Sequence, residues 1–141
     1  CDGFPLSTPN DIAIDRRGRI FFTDTSFRHG TGEKRTKSGV MRVDPDGKCE
    51  LKILGPVDLA SRVEWYELSI HPGGILASEP HESGSKEHLS VMSGCVTVQS
   101  GPSEKKVRHG ESARYPADVQ HAISNPGKTM ATALLVVEYA Q

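Results

Sequence analysis

Residues 110–125, GESARYPADVQHAISN, decide how this chain reads. The stretch divides into two strand-like runs, 112–115 and 120–124, around a turn at Pro116-Ala-Asp118, and His121 falls in the second run. Proline cannot donate to a β-ladder and sits at strand ends and turns, so a strand–turn–strand unit is expected. Working outward, the pattern repeats. Residues 63–70 form a strand pattern that carries Trp65, the single indole, and Pro72-Gly73-Gly74 turns. Residues 89–92 and 95–98 flank Ser93-Gly94, which reads as a tight hairpin. Gly101-Pro102 and Asn125-Pro-Gly127 turn again, 105–107 is a short strand, and 132–139 is a closing β-branched strand. About eight short strands at regular spacing argue for a barrel or sandwich, and no segment shows a helical period.

The pattern changes character near Leu54-Gly55-Pro56, which divides the chain into segments 1–55 and 56–141. In the first, 11–15 alternates, Arg16-Arg17-Gly18 turns, and 19–23 follows as the second arm of a hairpin. A polar loop covers 24–38. Residues 39–43 and 49–54 are further strands around Asp44-Pro-Asp-Gly47, which suits a type I turn. Four strands in so short a stretch make a sheet the size of one propeller blade, a unit that cannot bury its apolar faces alone. Ile12, Ile14, Ile20, Phe22, Val40 and Val43 therefore need a partner. Packing on the second segment, extending its sheet, and pairing between chains all satisfy that need. The first segment is not expected to be an independent domain.

Bulk composition excludes several classes. The chain has 141 residues, 35% hydrophobic and 25% charged, with 14 Gly and 9 Pro, which suits a turn-rich β-protein. A formal net charge of −1 gives no general attraction to nucleic acid or to anionic membranes. No apolar run approaches the ~20 residues of a membrane-spanning helix. No charged-then-apolar leader is present, and the first residue is Cys1 rather than Met, which suggests a processed or excised piece. Cys1, Cys49 and Cys95 make no C-x-x-C or zinc spacing, so free thiols and a reducing, cytoplasmic setting are expected. The basic run 28–37 lacks the spacing of a phosphate loop and reads as a solvated loop.

The run Gly110-x5-Pro116-x-Asp118-x2-His121-x3-Asn125 resembles the second signature motif of the cupin superfamily, with Asp118 where the family usually has Gly. The first motif, G-x5-H-x-H-x3,4-E-x6-G, is present in weakened form as Gly73, Glu79-Pro-His81, Glu87 and Gly94. Glu79 stands at the first His position, and the spacing from His81 to Glu87 is one residue longer. The resemblance covers residues 61–140 and is similar in particular to the sensor cupins of helix-turn-helix regulators. It implies an all-β, double-stranded β-helix (a jelly-roll barrel) preceded by the blade-like antiparallel segment. It also implies a metal site at His81, Glu87 and His121 with Glu79 as a fourth ligand, for one divalent Fe, Mn, Ni or Zn, or else a pocket holding an organic ligand and no metal. Glu79, Arg114 and Tyr115 are the candidate ligand-binding residues. Strand alternation puts Glu79 and His81 on one face, one of Arg114 and Tyr115 inside, one of Trp65 and Tyr66 inside, and His88 outside. His71 and His109 fall at turns and are expected to be solvated.

Residues 8–50 resemble one blade of the gluconolactonase and strictosidine-synthase-like propellers, through Pro9-Asn10-Asp11-Ile12, Phe22-Thr23-Asp24 and Gly39-Val-x-Arg-Val-Asp44-Pro-x-Gly47. Asn10 would then be a channel residue, and a chimera, natural or engineered, is the economical account of the pairing. The expected function is a small-molecule effector-binding module without DNA-binding helices of its own. A metal-dependent isomerase or dioxygenase is the alternative, and a fragment with no evolved activity a third. Lactone hydrolysis ranks last, because a catalytic metal needs three or more protein ligands and one blade offers one. Neither nucleic acid nor membrane is an expected partner, and a homodimer through sheet edges is.

Overall fold

The computed structural model describes residues 9–24, 39–55, 57–59 and 62–140. The basic run 28–37 and Cys1 lie outside them, as do the side chains of Asn10, Ile12, Phe22 and Val40. Twelve strands are described: β1 Pro9–Ile14, β2 Ile20–Asp24, β3 Gly39–Val43, β4 Cys49–Ile53, β5 Val63–Ile70, β6 Ile75–Ser78, β7 Lys86–Ser93, β8 Cys95–Ser100, β9 Ser103–Arg108, β10 Ser112–Pro116, β11 His121–Ser124 and β12 Ala131–Glu138. The only helical element among the described residues is a 3-10 turn at Val57–Leu59.

Two antiparallel sheets face each other. One has the order β1-β2-β3-β4-β5-β12-β7-β10 and the other β6-β11-β8-β9. The sequence-distant pairs β5–β12 and β7–β12 close a jelly roll, the all-β double-sheet architecture expected from the sequence. Period-two alternation builds its core. β12 runs buried–intermediate along its length, with Ala131, Ala133, Leu135 and Val137 facing inward. They meet Leu68, Ile70, Leu89 and Val91 of the same sheet, and Leu76, Val96, Val98, Val107 and Ile123 of the other.

The first four strands extend the larger sheet. β4 pairs with β5 over Cys49↔Ile70, Leu51↔Leu68 and Ile53↔Tyr66, so Cys49 and Leu51 enter the same core. The turns sit where the residues put them. Gly47 N–H donates to the Asp44 carbonyl at 2.8 Å and Gly18 N–H to that of Asp15 at 3.0 Å. Of the apolar residues expected to need cover, Ile14 and Ile20 are instead 68% and 37% exposed. They lie on the sheet face that Ala13, Phe21 and Arg42 do not occupy.

Ser93-Gly94 is not a hairpin. β7 pairs with β12 and β10, whereas β8 pairs with β11 and β9 in the other sheet. Gly94 takes φ +77° and a Cβ there would lie 3.0 Å from the Ala131 Cα, so glycine is what lets the chain turn the corner between sheets. Alternating patterns identify strands but not their partners, which is why this junction reads as a hairpin in sequence.

Candidate functional site

His81, Glu87 and His121 converge although 40 residues separate the first from the last, and their ligand atoms lie within 4.8 Å of one another. Each is held by a different element. Glu87 lies on β7, on the inward phase it shares with Leu89 and Val91. His121 opens β11 in the facing sheet and is 2% exposed. His81 is on the loop between β6 and β7. Its N–H donates to the Ala117 carbonyl at 2.8 Å, Ala117 N–H donates to the Ser85 carbonyl at 3.0 Å, and Gly84 N–H donates to Asp118 Oδ2 at 2.8 Å. Asp118, the departure from the family pattern, thus fastens the His81 loop to the turn before His121.

The His121 ring is polarised. Nδ1 lies 2.7 Å from the Val119 carbonyl, which only accepts, so Nδ1 carries the hydrogen and donates it. A neutral ring then presents a lone pair at Nε2, 3.2 Å from Glu87 Oε1. His81 Nε2 lies 3.4 Å from the same oxygen. Two acceptors at that distance need a cation between them, either a proton on His121 or a metal ion. A donor set of two imidazole nitrogens and one carboxylate suits a divalent transition metal. Its supporting contacts are present as well: Val119 orients His121, and the Tyr115 hydroxyl donates to Glu87 Oε2 at 2.6 Å. Burial pushes the Glu87 carboxyl up, but its contacts with His121, His81 and Tyr115 outweigh this and hold it at about 2. Burial lowers His121, and the bonds to Glu87 and the Val119 carbonyl reverse that to a net rise. Tyr115 is pushed up by burial and by the Glu87 charge, so it stays a donor.

The other expected residues divide. Tyr115 is the inward member of its pair. It stands opposite Glu87 in the register, and Arg114 opposite His88 on the outer face. There Arg114 and His88 both meet Glu138 Oε2, at 3.2 and 2.9 Å. Glu79 is not brought to the cluster. β6 ends at Ser78 and Pro80 follows, so strand alternation does not carry through to residue 79. The side chain of Glu79, 61% exposed, pairs with Arg17 at 3.1 Å. Tyr66, rather than Trp65, faces inward. His109 is exposed, with Nδ1 2.7 Å from the Met92 carbonyl. The motif residue Asn125 is structural. It is buried, donates to the carbonyls of Ile70 and Thr129, and accepts from Gly127 N–H, each at 2.8 Å.

A cavity of about 260 Å³ opens over this centre. His81 and Glu87 lie on one side of it, and Leu76, Leu135 and Val137 form apolar wall. Glu64, Tyr66 and Tyr139 form a polar wall, in which Glu64 Oε2 accepts both hydroxyls, at 2.5 and 3.0 Å. Burial and the Glu64 charge push both phenols up. Arg19, Phe21 and Arg42 complete the lining from the N-terminal strands. Sequence reasoning puts Tyr66 or Trp65 inside but misses Glu64, Tyr139 and the arginines. Alternation gives the phase within each strand, but only the register of β2 to β5 shows which phase meets the barrel.

Residues 66–138 match the Cupin domain family. Among characterised proteins the chain is similar to the HTH-type transcriptional regulator SutR of Escherichia coli, at 32% identity over 75 residues, 53% of this chain and 42% of that one. It therefore spans less than half the length of that relative. Among solved structures it is similar to the Cupin_2 domain of an XRE family transcriptional regulator from Enterobacter cloacae. The TM-score is 0.62 at 23% identity, over 67% of this chain and 99% of that one. A cupin-superfamily sugar phosphate isomerase from Silicibacter pomeroyi aligns with TM-score 0.54 at 21% identity, over 66% and 60%. These comparisons support the cupin resemblance. They lend none to the propeller blade or to a chimera.

Proposed function

The chain belongs to the cupin domain family, and on that premise we propose that it is a small-molecule-binding module whose ligand occupies the cavity above His81, Glu87 and His121. The observation that carries this reading is the cavity itself. At about 260 Å³ it is smaller than the ~300 Å³ or more of a drug-sized ligand's cleft, which limits its occupant to a small molecule. Apolar Leu76, Leu135 and Val137 would take the ligand's body, and the polar groups opposite them would orient it. The likeness to SutR supports a sensing role. Cys49 and Cys95, both free thiols, support a reducing compartment such as the cytoplasm. Among the described residues no helix is long and apolar enough to cross a membrane.

The second reading is a metal-dependent enzyme, and the polarised His121 ring favours it. A divalent metal bound here would supply Lewis acidity to a ligand oxygen. His81 Nε2, Glu87 Oε1 and His121 Nε2 would hold it. The chain's own part would be to fix those three atoms through Val119, Tyr115 and Asp118, and to keep Glu87 ionised. The name of the Silicibacter protein points to isomerisation.

One experiment addresses both. Purified protein is analysed for bound Fe, Mn, Ni and Zn beside His121→Ala, then screened by thermal shift against small acids, sugars and sugar phosphates. A ligand that saturates wild type and is lost in Ser78→Phe, which puts a bulky side chain on the cavity's lining, is the expected result. Turnover of that ligand only in metal-loaded protein would move the assignment to the enzyme. A screen in which nothing stabilises the wild type would overturn the binding-module reading.

A further inference from the structure

Two arginines that line the cavity, Arg19 and Arg42, come from the N-terminal segment rather than from the barrel. In antiparallel sheets, residues directly opposite one another project to the same face. The register runs Phe21↔Arg42, Arg42↔Leu51 and Leu51↔Leu68, and the burial of Leu51 and Leu68 in the core fixes that face as the inner one. Phe21 and Arg42 therefore extend the barrel's inner surface. Arg19, the residue just before β2, lines the same cavity, with its guanidinium 5.7 Å from the centre of the Phe21 ring. Both arginines are partly buried, at 28% and 21% side-chain exposure. Both are also held in place, Arg19 by Asp15 at 2.5 Å and Arg42 by Asp44 at 2.8 Å. A guanidinium fixed by a neighbouring carboxylate is already ordered before a ligand arrives, and its five donors allow a second acidic partner. Such planar forks match carboxylate and phosphate oxygens.

We infer that the ligand is a small organic anion, a carboxylate or phosphate ester, whose acidic group docks on Arg19 and Arg42 while its body reaches inward to His81 and Glu87. The N-terminal strands are then part of the binding site. This rests on the cavity being the ligand site, and it adds the ligand's charge and two recognition residues. Glu64 and Glu87 favour the same orientation. They repel an acid group placed beside them, whereas Asp15 and Asp44 each occupy only part of their arginine's donor fork and leave its remaining N–H groups to the ligand.

The test is calorimetric titration of the zinc-treated full chain with malonate, inorganic phosphate and the neutral isostere malonamide. At least one anion binds and malonamide does not. The double variant R19Q/R42Q weakens the anion by about tenfold or more, as expected for loss of a paired guanidinium site. R17Q removes one positive charge from the turn between β1 and β2, outside the cavity, and changes affinity by less than about twofold. Its ion pair with Glu79 is exposed. Equal anion affinity in R19Q/R42Q and wild type, equal binding of malonamide, or no anion binding at all overturns the inference. Anion binding that ignores the arginines but is abolished by Ser78→Phe would leave the cavity reading standing and sink this one alone. If the double variant disturbs the hairpin, as judged by near-UV circular dichroism, R42K decides. Fork-shaped docking predicts several-fold weaker binding, and unchanged affinity overturns it.

Discussion

Among single residues, Glu87 joins the three other side chains of the centre. Tyr115 donates to one of its oxygens at 2.6 Å, and the Nε2 atoms of His121 and His81 face the other at 3.2 and 3.4 Å. Folding holds its carboxyl at about 2 against an ordinary 4.5, so its contribution is fully present above about 4.5 and is lost as pH falls toward 2. His121 is raised above 6.5, so its contribution is present below 6.5 and is lost as pH rises through the folded value. Metal-free protein is therefore expected to melt highest between about 4.5 and 6.5, with midpoints falling on both sides. Glu87→Gln should flatten both limbs and cost about 3–5 kcal/mol, the usual penalty for breaking a buried pair. Thermal unfolding in EDTA across pH checks this, and a wild-type profile as flat as that of the variant refutes it. A metal competes with the His121 proton, so metal affinity is expected to climb with pH over the range in which stability of the metal-free form declines. Tyr115→Phe should cost roughly 1.5–3 kcal/mol, as for a hydrogen bond to a charged group, and weaken metal binding without removing it. The three central residues were legible in sequence because motif spacing names them. Glu79 departs from its expected place because β6 ends at Ser78 and Pro80 follows, and nothing in the sequence marks Arg114, rather than Tyr115, as the outer member of its pair.

Between elements, what positions His81 is a short zipper between the loop before β7 and the turn before β11. Two backbone bonds, at 2.8 and 3.0 Å, and the Asp118 side chain on Gly84 N–H, at 2.8 Å, form it. Asp118 accepts from Gly84 N–H rather than from any of the three central side chains, so its effect on them is one of positioning. Asp118→Ala is expected to cost about 1 kcal/mol of stability, typical of one hydrogen bond. Hydrogen exchange at the amides of 81–85 should speed up while β7 and β12 are unchanged, and metal should bind more weakly. Restoration by Asp118→Asn, which keeps the acceptor, separates positioning from charge. Exchange at 81–85 equal to wild type in the alanine variant counts against the zipper. Sequence patterns located nearly every strand, because alternation and Gly/Pro punctuation are local. They missed the two-sheet junction at Gly94, because pairing there depends on β12 and β10, which lie later in the chain.

For the whole molecule, the two segments legible in composition meet in one continuous hydrogen-bonded sheet. Of the three ways to cover the first segment, extension of the second segment's sheet is seen, with β4 pairing on β5, and it leaves Ile14 and Ile20 exposed. It brings Cys49 and Leu51, 0% and 6% exposed, into the barrel's core, and burial pushes the Cys49 thiol up to about 12. We propose accordingly that residues 1–55 do not fold as a domain and that residues 56–141 are incomplete without them. Removing β4 would uncover the edge of β5 along with Leu68 and Ile70, and it would delete buried side chains worth about 1.5–3 kcal/mol each when large and apolar. It would also present a row of unpaired strand donors and acceptors to other copies of the chain. A 56–141 fragment is therefore expected to unfold at lower denaturant than the full chain and to self-associate on size-exclusion chromatography. It should also lose anion binding even where it still holds metal, because Arg19 and Arg42 leave with the removed strands. A fragment that is monodisperse, equally stable and still binds the anion would make the first four strands an appendage. A fragment that is stable but blind to the anion would separate the two roles and leave the strands a recognition element that the barrel does not need in order to fold.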